Sequence, residues 1–465
     1  MRIAVVAHCH YAEQAHAIVR RLAAVPDRHD LFVSTSDAAL AETLAGEIEA
    51  VPAIDDCQIV IAPNRGRNFA PFLVEFREDL KRYDLICHVH TKQSRHRGDA
   101  LTGWGEYLID HLIGDGPAWS RAVALFRSEP RCGLAYPDAY APLPFWSRHW
   151  LGNFAIARLW AERAGVPIRP GFVHYPVGGM FWARPAAIAP LLDDDWSYAD
   201  FPDEEGQIDG TMQHAIERLV GAVCHHTGYD HFARAPGRED FVKVQDGVFP
   251  HDENFRADKL AERVAASRYV SFDLFALAAG ARDEIESAAL ERVSRSLIAA
   301  KVIASPEPYL LHRRLIELRS RFEYRHAGQI AFGELVRALS LALRGPDAAL
   351  LRAEADHVAG MIAPDARVTE IYRAAAAAGR PILIVADCVY GRGWIADVLR
   401  RLDLPDPAHC FCTSDVPGLR ADGTVWKTVA EAVGAGAWEI THFGKDVAED
   451  YLLPQRSKVF TIHVP

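Results

Sequence analysis

Apolar positions over the first ninety residues come in short runs, separated by stretches in which they recur every three or four residues. Residues 2–7, 30–34, 58–62 and 83–90 read as strands. Residues 12–22, 38–47 and 69–82 carry helical spacing between them. Strands spaced by helices imply parallel βαβ units and a doubly wound α/β layer, whose ligands bind in the loops after the strands' carboxyl ends. The pattern loosens from about residue 137. It predicts one or two strands over 172–184 with a break at Gly178-Gly179, a helix over 209–220 and a short strand over 222–226. Residues 234–253, rich in charge, glycine and proline, read as a surface connection. A strand over 269–275 opens a second half, and 282–362 is helical almost throughout. Strands over 381–387 and 410–413, helices over 393–402 and 426–433, and strand-like stretches at 438–442 and 458–464 complete a second α/β sheet with a helical insertion after its first strand.

The length of 465 residues calls for about two or three domains. We place a first domain at 1–235, a linker at 236–267 and a second domain at 268–465, with its helical cap at about 282–380. A net charge of −11 argues against a nucleic-acid partner, since phosphate backbones demand a basic face. A phosphate-bearing ligand must then meet a local cluster of cations. The start of the chain shows no signal-peptide pattern, and no apolar run approaches the ~20 residues of a membrane span. Eight scattered cysteines without a CxxC pair suggest neither a disulfide framework nor a zinc ribbon, and the expected compartment is the cytoplasm.

Three constellations carry candidate chemistry. In Asp84-Leu-Ile-Cys-His88-Val-His90-Thr-Lys92, residues two apart share a strand face, so His88, His90 and Lys92 should converge at a strand's carboxyl end. That set suits a diphosphate, a divalent metal or the charge of a leaving group; a solvated strand end explains it equally well. In Asn64-Arg65-Gly66-Arg67-Asn68, Gly66 permits a tight turn and the arginines match phosphate geometry, although a basic loop with Asn68 as a helix cap fits too. In Glu204-Glu205-Gly-Gln-Ile-Asp209-Gly-Thr, three carboxylates precede a helix bearing His214 and Glu217. They are candidates for a general base, or for caps favoured by the helix dipole.

The ordered series Asn64-Arg-Gly-Arg67, Tyr83 to Lys92, Gly178-Gly-Met-Phe-Trp182 and Glu205-Gly-Gln-Ile-Asp209-Gly-Thr resembles the rhamnan synthesis protein F family over roughly residues 1–235. The resemblance implies a transferase that uses a nucleotide-diphosphate sugar, acts on rhamnose-containing cell-surface polysaccharides and has a fold similar to the A-type glycosyltransferases. It implies a glycan or lipid-linked glycan acceptor, and Asp209 or Glu205 as the base. His8, Asn64, Arg65, Arg67, His88, His90 and Lys92 would then surround the donor, with Ser34-Thr35-Ser36 lining its nucleotide. The sequence departs from the pattern at Asn68, where the family has Asp. The usual Asp-X-Asp is also absent, so a divalent metal (magnesium or manganese) would have to be held by His88 and His90 or be replaced by Lys92, Arg65 and Arg67. A lipid-linked acceptor would call for peripheral contact with the inner face of the membrane, for which Trp146 and Trp150 are candidates.

In the second half Tyr269-Val-Ser-Phe-Asp273, Ile382 to Asp387, Lys427 and His442-Phe-Gly-Lys445-Asp446-Val-Ala-Glu-Asp450 resemble the haloacid dehalogenase-like hydrolases over 268–465. The resemblance implies an aspartate nucleophile at Asp273, a phosphate-holding lysine at Lys427 and magnesium-binding acids including Asp387 and Asp450. Ala276-Leu277 stand where Asp-Thr is usual, Ala386 where a hydroxyl is usual and Lys445 where a metal-binding acid is usual. A degenerate phosphatase site is therefore expected. A working phosphatase, or a non-catalytic carbohydrate-binding protein, are the alternatives to a transferase.

Overall fold

The computed structural model describes residues 1–92, 103–114, 116–204, 209–235, 238–323 and 329–465, with the backbone alone at 321–323. The fold is mixed α/β, and the chain divides into two compact units, Met1–Pro250 and His251–Pro465.

Unit 1 is built on an eight-stranded sheet of β1 (Ile3–His8), β2 (His29–Thr35), β3 (Ile54–Ile61), β4 (Leu85–His90), β5 (Cys132–Pro137), β6 (Phe181–Ala183), β7 (Asp230–Arg234) and β8 (Val242–Lys243). The order is β3-β2-β1-β4-β6-β5-β7-β8, with β6 and β8 antiparallel to their neighbours. All six residues of β4 are buried, as are five of the six of β1, because helices cover both faces of this parallel core. Ala15, Ile18, Val19 and Leu22 form the inward stripe of one covering helix. Asp37 caps the next, its carboxylate accepting from the amides of Ala39 and Leu40. Alternate β1 residues feed opposite cores. Val6 packs with Phe72, Ile86 and Leu219, while Val5 packs with Ile18, Cys87 and Trp119.

The sheet order reverses at β1. It runs from β1 through β2 to β3 on one side and to β4 on the other, so the carboxyl ends of β1 and β4 border a topological switch point. The register sets His8 directly beside His90 there, and Val6 beside His88 one layer deeper.

Two expectations fail in this unit. Residues 222–226 continue the helix Met212–His226, because Leu219, Val220, Val223 and Cys224 bury one continuous stripe that outweighs their strand propensity. The linker expected at 236–267 holds β8, which pairs with β7, and, beyond the unit boundary, the helix Ala257–Ala266.

Unit 2 is a five-stranded, wholly parallel sheet of β9 (Tyr269–Phe272), β10 (Ile382–Ala386), β11 (His409–Cys412), β12 (Ile440–Gly444) and β13 (Phe460–His463), in the order β11-β10-β9-β12-β13. Between β9 and β10 stand helices Arg282–Ala299, Glu307–Glu323, Phe332–Ala342, Ala348–Met361 and Ala366–Ala377. Most of them share a core of their own around Val293, Leu297, Tyr309, Leu335 and Leu351. The last packs on the sheet through Val368 and Tyr372. Among the described residues no helix is long and apolar enough to cross a membrane.

Candidate functional site

The edge after β1 and β4 is tied together by backbone groups. Thr91 Oγ1 accepts from the amides of His10 (2.8 Å) and Tyr11 (3.2 Å). Gln14 clasps Lys92, donating to its carbonyl (3.0 Å) and accepting from its amide (2.6 Å). The Lys92 ammonium lies 3.9 Å from the centre of the Trp104 ring. Burial pulls it down to about 8; Glu217 favours its charge and Arg67 opposes it.

His90 is a positioning residue in this geometry. Nε2 stands 2.8 Å from the Gly178 carbonyl and Nδ1 3.0 Å from that of Thr91, and burial followed by the Lys92 charge pushes the imidazole down to about 3. It therefore braces the Gly178-Gly179 turn that leads into β6. Glu217 holds the same turn by accepting from the Gly178 amide at 2.7 Å. Both glycines have positive φ, +106° and +73°, a backbone conformation that L side chains rarely adopt.

His88 shares the face expected of it but lies too deep to meet a ligand. It is fully buried among the rings of Phe69, Phe72 and Phe181, with the backbone of Gly179 and Asn68 beside its ring. Burial pushes it down to about 3, so it is a neutral packing residue. His8, also pushed down to about 3 by burial, bonds to the Ser34 hydroxyl at 3.0 Å. Among the described residues no three His, Cys, Asp or Glu side chains gather as metal ligands would.

The loop after β3 meets the segment before the helix Met212–His226. Gly66 has φ +68°, and a Cβ there would stand 2.4 Å from that of Ala70 and 2.6 Å from the Phe201 ring. Arg65 pairs with Asp203 at 3.1 Å. The Arg67 amide donates to Glu204 Oε1 at 2.9 Å, and its guanidinium lies 2.9 Å from His214 Nε2. His214 is pushed down to about 3 by burial and then by Arg67, and its Nδ1 meets the Thr211 hydroxyl at 2.7 Å. Asn64 is exposed. Asn68 is buried at the helix start, but its side chain makes no capping bond, contrary to the expectation. Glu205 lies outside the described residues.

Asp209 is anchored by a residue the pattern did not single out. The fully buried Asn153 donates to Asp209 Oδ1 at 2.7 Å and accepts from the Gly210 amide at 2.9 Å. Arg218 Nη2 lies 3.7 Å from the same oxygen. Nothing in the aromatic-rich stretch around Asn153 marks it as an anchor. Trp150 is interior, 1% exposed, so it offers no membrane surface; Trp146 is half-buried.

In unit 2 the acids and cations at the strand ends pair with one another. Arg420, 2% exposed, donates to both Asp273 Oδ1 and Asp450 Oδ1, and Asp273 Oδ2 accepts from the Phe275 amide at 2.9 Å. Burial opposes the Arg420 charge, but Asp273 and Glu449 outweigh it and hold the group above its usual range. His442 bridges Ser271 (2.9 Å) and Asp450 (3.2 Å). Asp387 accepts from Thr413 Oγ1 at 2.6 Å, with Arg282 3.8 Å away. Lys445 turns to the Ala278 carbonyl and Asp365. Lys427, expected to hold phosphate, is 82% exposed and lies 3.8 Å from Glu431, one helical turn on. The cation that meets both Asp273 and Asp450 at this edge is Arg420, which is 2% exposed.

Residues 1–229 match the family model described as Rhamnan synthesis protein F. The chain is also similar to the protein named Uncharacterized protein WxcX in two strains of Xanthomonas campestris pv. campestris. Each is 38% identical over 168 residues, which cover 36% of this chain and 24% of the relative. The aligned part of the chain thus spans about a quarter of those relatives' length. Solved structures with a likeness to the chain include the L-2-haloacid dehalogenase from Xanthobacter autotrophicus and the 2-haloacid dehalogenase from Pseudomonas syringae pv. Tomato. The first is 12% identical, covers 43% of this chain and 77% of that one, and has a TM-score of 0.31. The second is 18% identical, covers 42% and 84%, and has a TM-score of 0.32.

Proposed function

We propose that unit 1 is a glycosyltransferase of A-type fold that moves a sugar, rhamnose or a related deoxysugar, from a nucleoside diphosphate to a cell-surface polysaccharide or lipid-linked glycan. The match of residues 1–229 to a rhamnan synthesis family supports a role in polysaccharide assembly. The observation that carries the chemistry is the electrostatic cluster at the switch point. Lys92, Arg67, His214 and Glu217 lie within one another's fields, beside the turn at Gly178.

In this reading the bond from the anomeric carbon to the diphosphate oxygen breaks as the acceptor oxygen bonds to that carbon. The electron pair leaves with the nucleoside diphosphate, whose charge Lys92 and Arg67 neutralise. The acceptor's hydroxyl proton passes to Asp209. Asn153 and Arg218 both meet Asp209 at Oδ1, fixing the carboxylate and leaving Oδ2 to face the acceptor. His90 and Glu217 act through the Gly178-Gly179 turn. In this reading the two cations supply the charge neutralisation at the diphosphate.

Unit 2 we read as a haloacid dehalogenase-like domain closed on itself. Magnesium does not fit its residues, because Asp273 and Asp450 both accept from Arg420, which supplies the positive charge from within.

The test is release of nucleoside diphosphate by the full chain from a panel of nucleotide sugars, with a glycan acceptor present. Asp209→Asn is expected to lower the rate by about 10²- to 10⁴-fold while leaving the nucleotide affinity in place. Unchanged turnover in that variant would remove Asp209 as the base. No turnover with any donor would count against the transferase.

A further inference from the structure

The helix Glu307–Glu323 in the cap of unit 2 presents its side chains in an inverted way. Its inner face is partly polar. Arg313, 7% exposed, forks onto the fully buried Glu354 (Nη2 to Oε1 2.9 Å, Nε to Oε1 3.1 Å), and the hydroxyls of Tyr309 (2.7 Å) and Tyr390 (2.9 Å) donate to the same carboxylate. Its outer face carries leucines. Leu311, Leu315 and Leu318 are 57%, 50% and 54% exposed, at the spacing that places three side chains in one row along about 10 Å of helix. Leu341, on the neighbouring helix Phe332–Ala342, is 83% exposed. Four of the five exposed leucines among the described residues thus come from these two helices.

The charge around the row is opposite to that of the protein. Among the described side chains of residues 301–344, Lys301, Arg314, Arg319, Arg337 and Arg344 are exposed against the exposed acids Glu307 and Glu334, in a chain whose net charge is −11. Arg314 is exposed between the leucines on the same helix. We propose that this leucine row seats the protein on an anionic lipid surface. The leucines would enter the headgroup region while the surrounding arginines meet lipid phosphates. A second copy of the chain is a poorer occupant, because two such faces would bring like charge together. A protein offering a groove would have to supply the whole concave partner, since this face is a ridge. The inference stands apart from the transferase reading, as it uses only residues of unit 2.

Flotation of the full chain with vesicles of phosphatidylglycerol and phosphatidylcholine, against phosphatidylcholine alone, tests it. Binding is expected to the anionic vesicles and to weaken as salt is raised. Replacing Leu311, Leu315 and Leu318 together by Gln, at exposed positions where Gln keeps helix propensity, is expected to cut partitioning by about tenfold or more. Circular dichroism and sedimentation velocity of the variant check that fold and mass are kept. Three outcomes overturn the proposal: no binding of the wild type to anionic vesicles, equal binding by the triple variant, or a wild-type dimer that the substitutions convert to monomer without any vesicle binding.

Discussion

The two sheets place charge at the same location, the carboxyl ends of parallel strands beside a switch point, and dispose of it in opposite ways. In unit 1 the Lys92 ammonium rests on an aromatic face within the field of Glu217, and Arg67 reaches His214 while pairing with Glu204 at 3.5 Å, so the cations are spread over several partial partners. In unit 2 Arg420 closes on Asp273 and Asp450, Thr413 on Asp387, and Lys445 on Asp365. In the transferase reading proposed above, an anionic ligand would complete the first arrangement. The second meets its acids with a cation, a hydroxyl and a lysine from within the fold. An acid-rich strand edge is thus no sign of turnover until its partners are known, because a guanidinium inside the fold can do a metal's electrostatic work.

The sharpest way to break this contrast is Arg420→Ala. It strands two buried carboxylates and is expected to cost about 3–5 kcal/mol in urea unfolding of the full chain. A loss under about 1 kcal/mol would mean that the edge of unit 2 is open after all. Gly66→Ala comes next. The positive φ and the 2.4 Å approach of Ala70 predict a loss of about 1–3 kcal/mol together with weaker nucleotide binding. Wild-type stability in this variant would show that the loop does not need the turn we assign to it.

Titration separates the two edges further. Lys92 is pulled down to about 8, so its charge is full below that pH and is lost as pH rises through it. Affinity for a nucleoside diphosphate should fall by up to about tenfold per pH unit above 8, the slope of a single linked proton. His90, held down to about 3, stays neutral across that range and adds no second inflection. Calorimetry from pH 6 to about 9.5 would show the slope; a flat profile would take Lys92 out of the site. The smallest effect belongs to Lys427→Ala. An exposed pair one helical turn apart is worth about 0.3–0.5 kcal/mol in urea unfolding, and a larger loss would mean that Lys427 packs more closely than its exposure shows.

Much of the frame could be read from hydrophobic pattern, since strands buried on both faces, such as Ile3–His8 and Ile382–Ala386, have no other way to present as apolar runs. Stripes like Ala15, Ile18, Val19 and Leu22 mark helices equally plainly. Spacing also placed His88 and His90 on one face. It could not tell that three phenylalanines close over His88, because burial at a strand end depends on which helix lies across it. Asn153 and Arg420 were invisible for a related reason. Each acts on a residue far away in sequence, and neither sits in a repeat or a periodic row. Lys427 drew attention by residue type and order along the chain, yet its position in helix Val425–Val433 turns it to solvent.

The claim that unit 1 holds the donor at Lys92 is tested most directly by equilibrium binding of nucleoside diphosphates to the full chain, compared with Lys92→Met and Arg420→Lys. The account predicts binding that weakens by about ten- to a hundredfold in Lys92→Met, the worth of one charge-assisted hydrogen bond, and that Arg420→Lys leaves alone. Binding untouched by Lys92→Met but abolished by Arg420→Lys would put the nucleotide in unit 2 and contradict it.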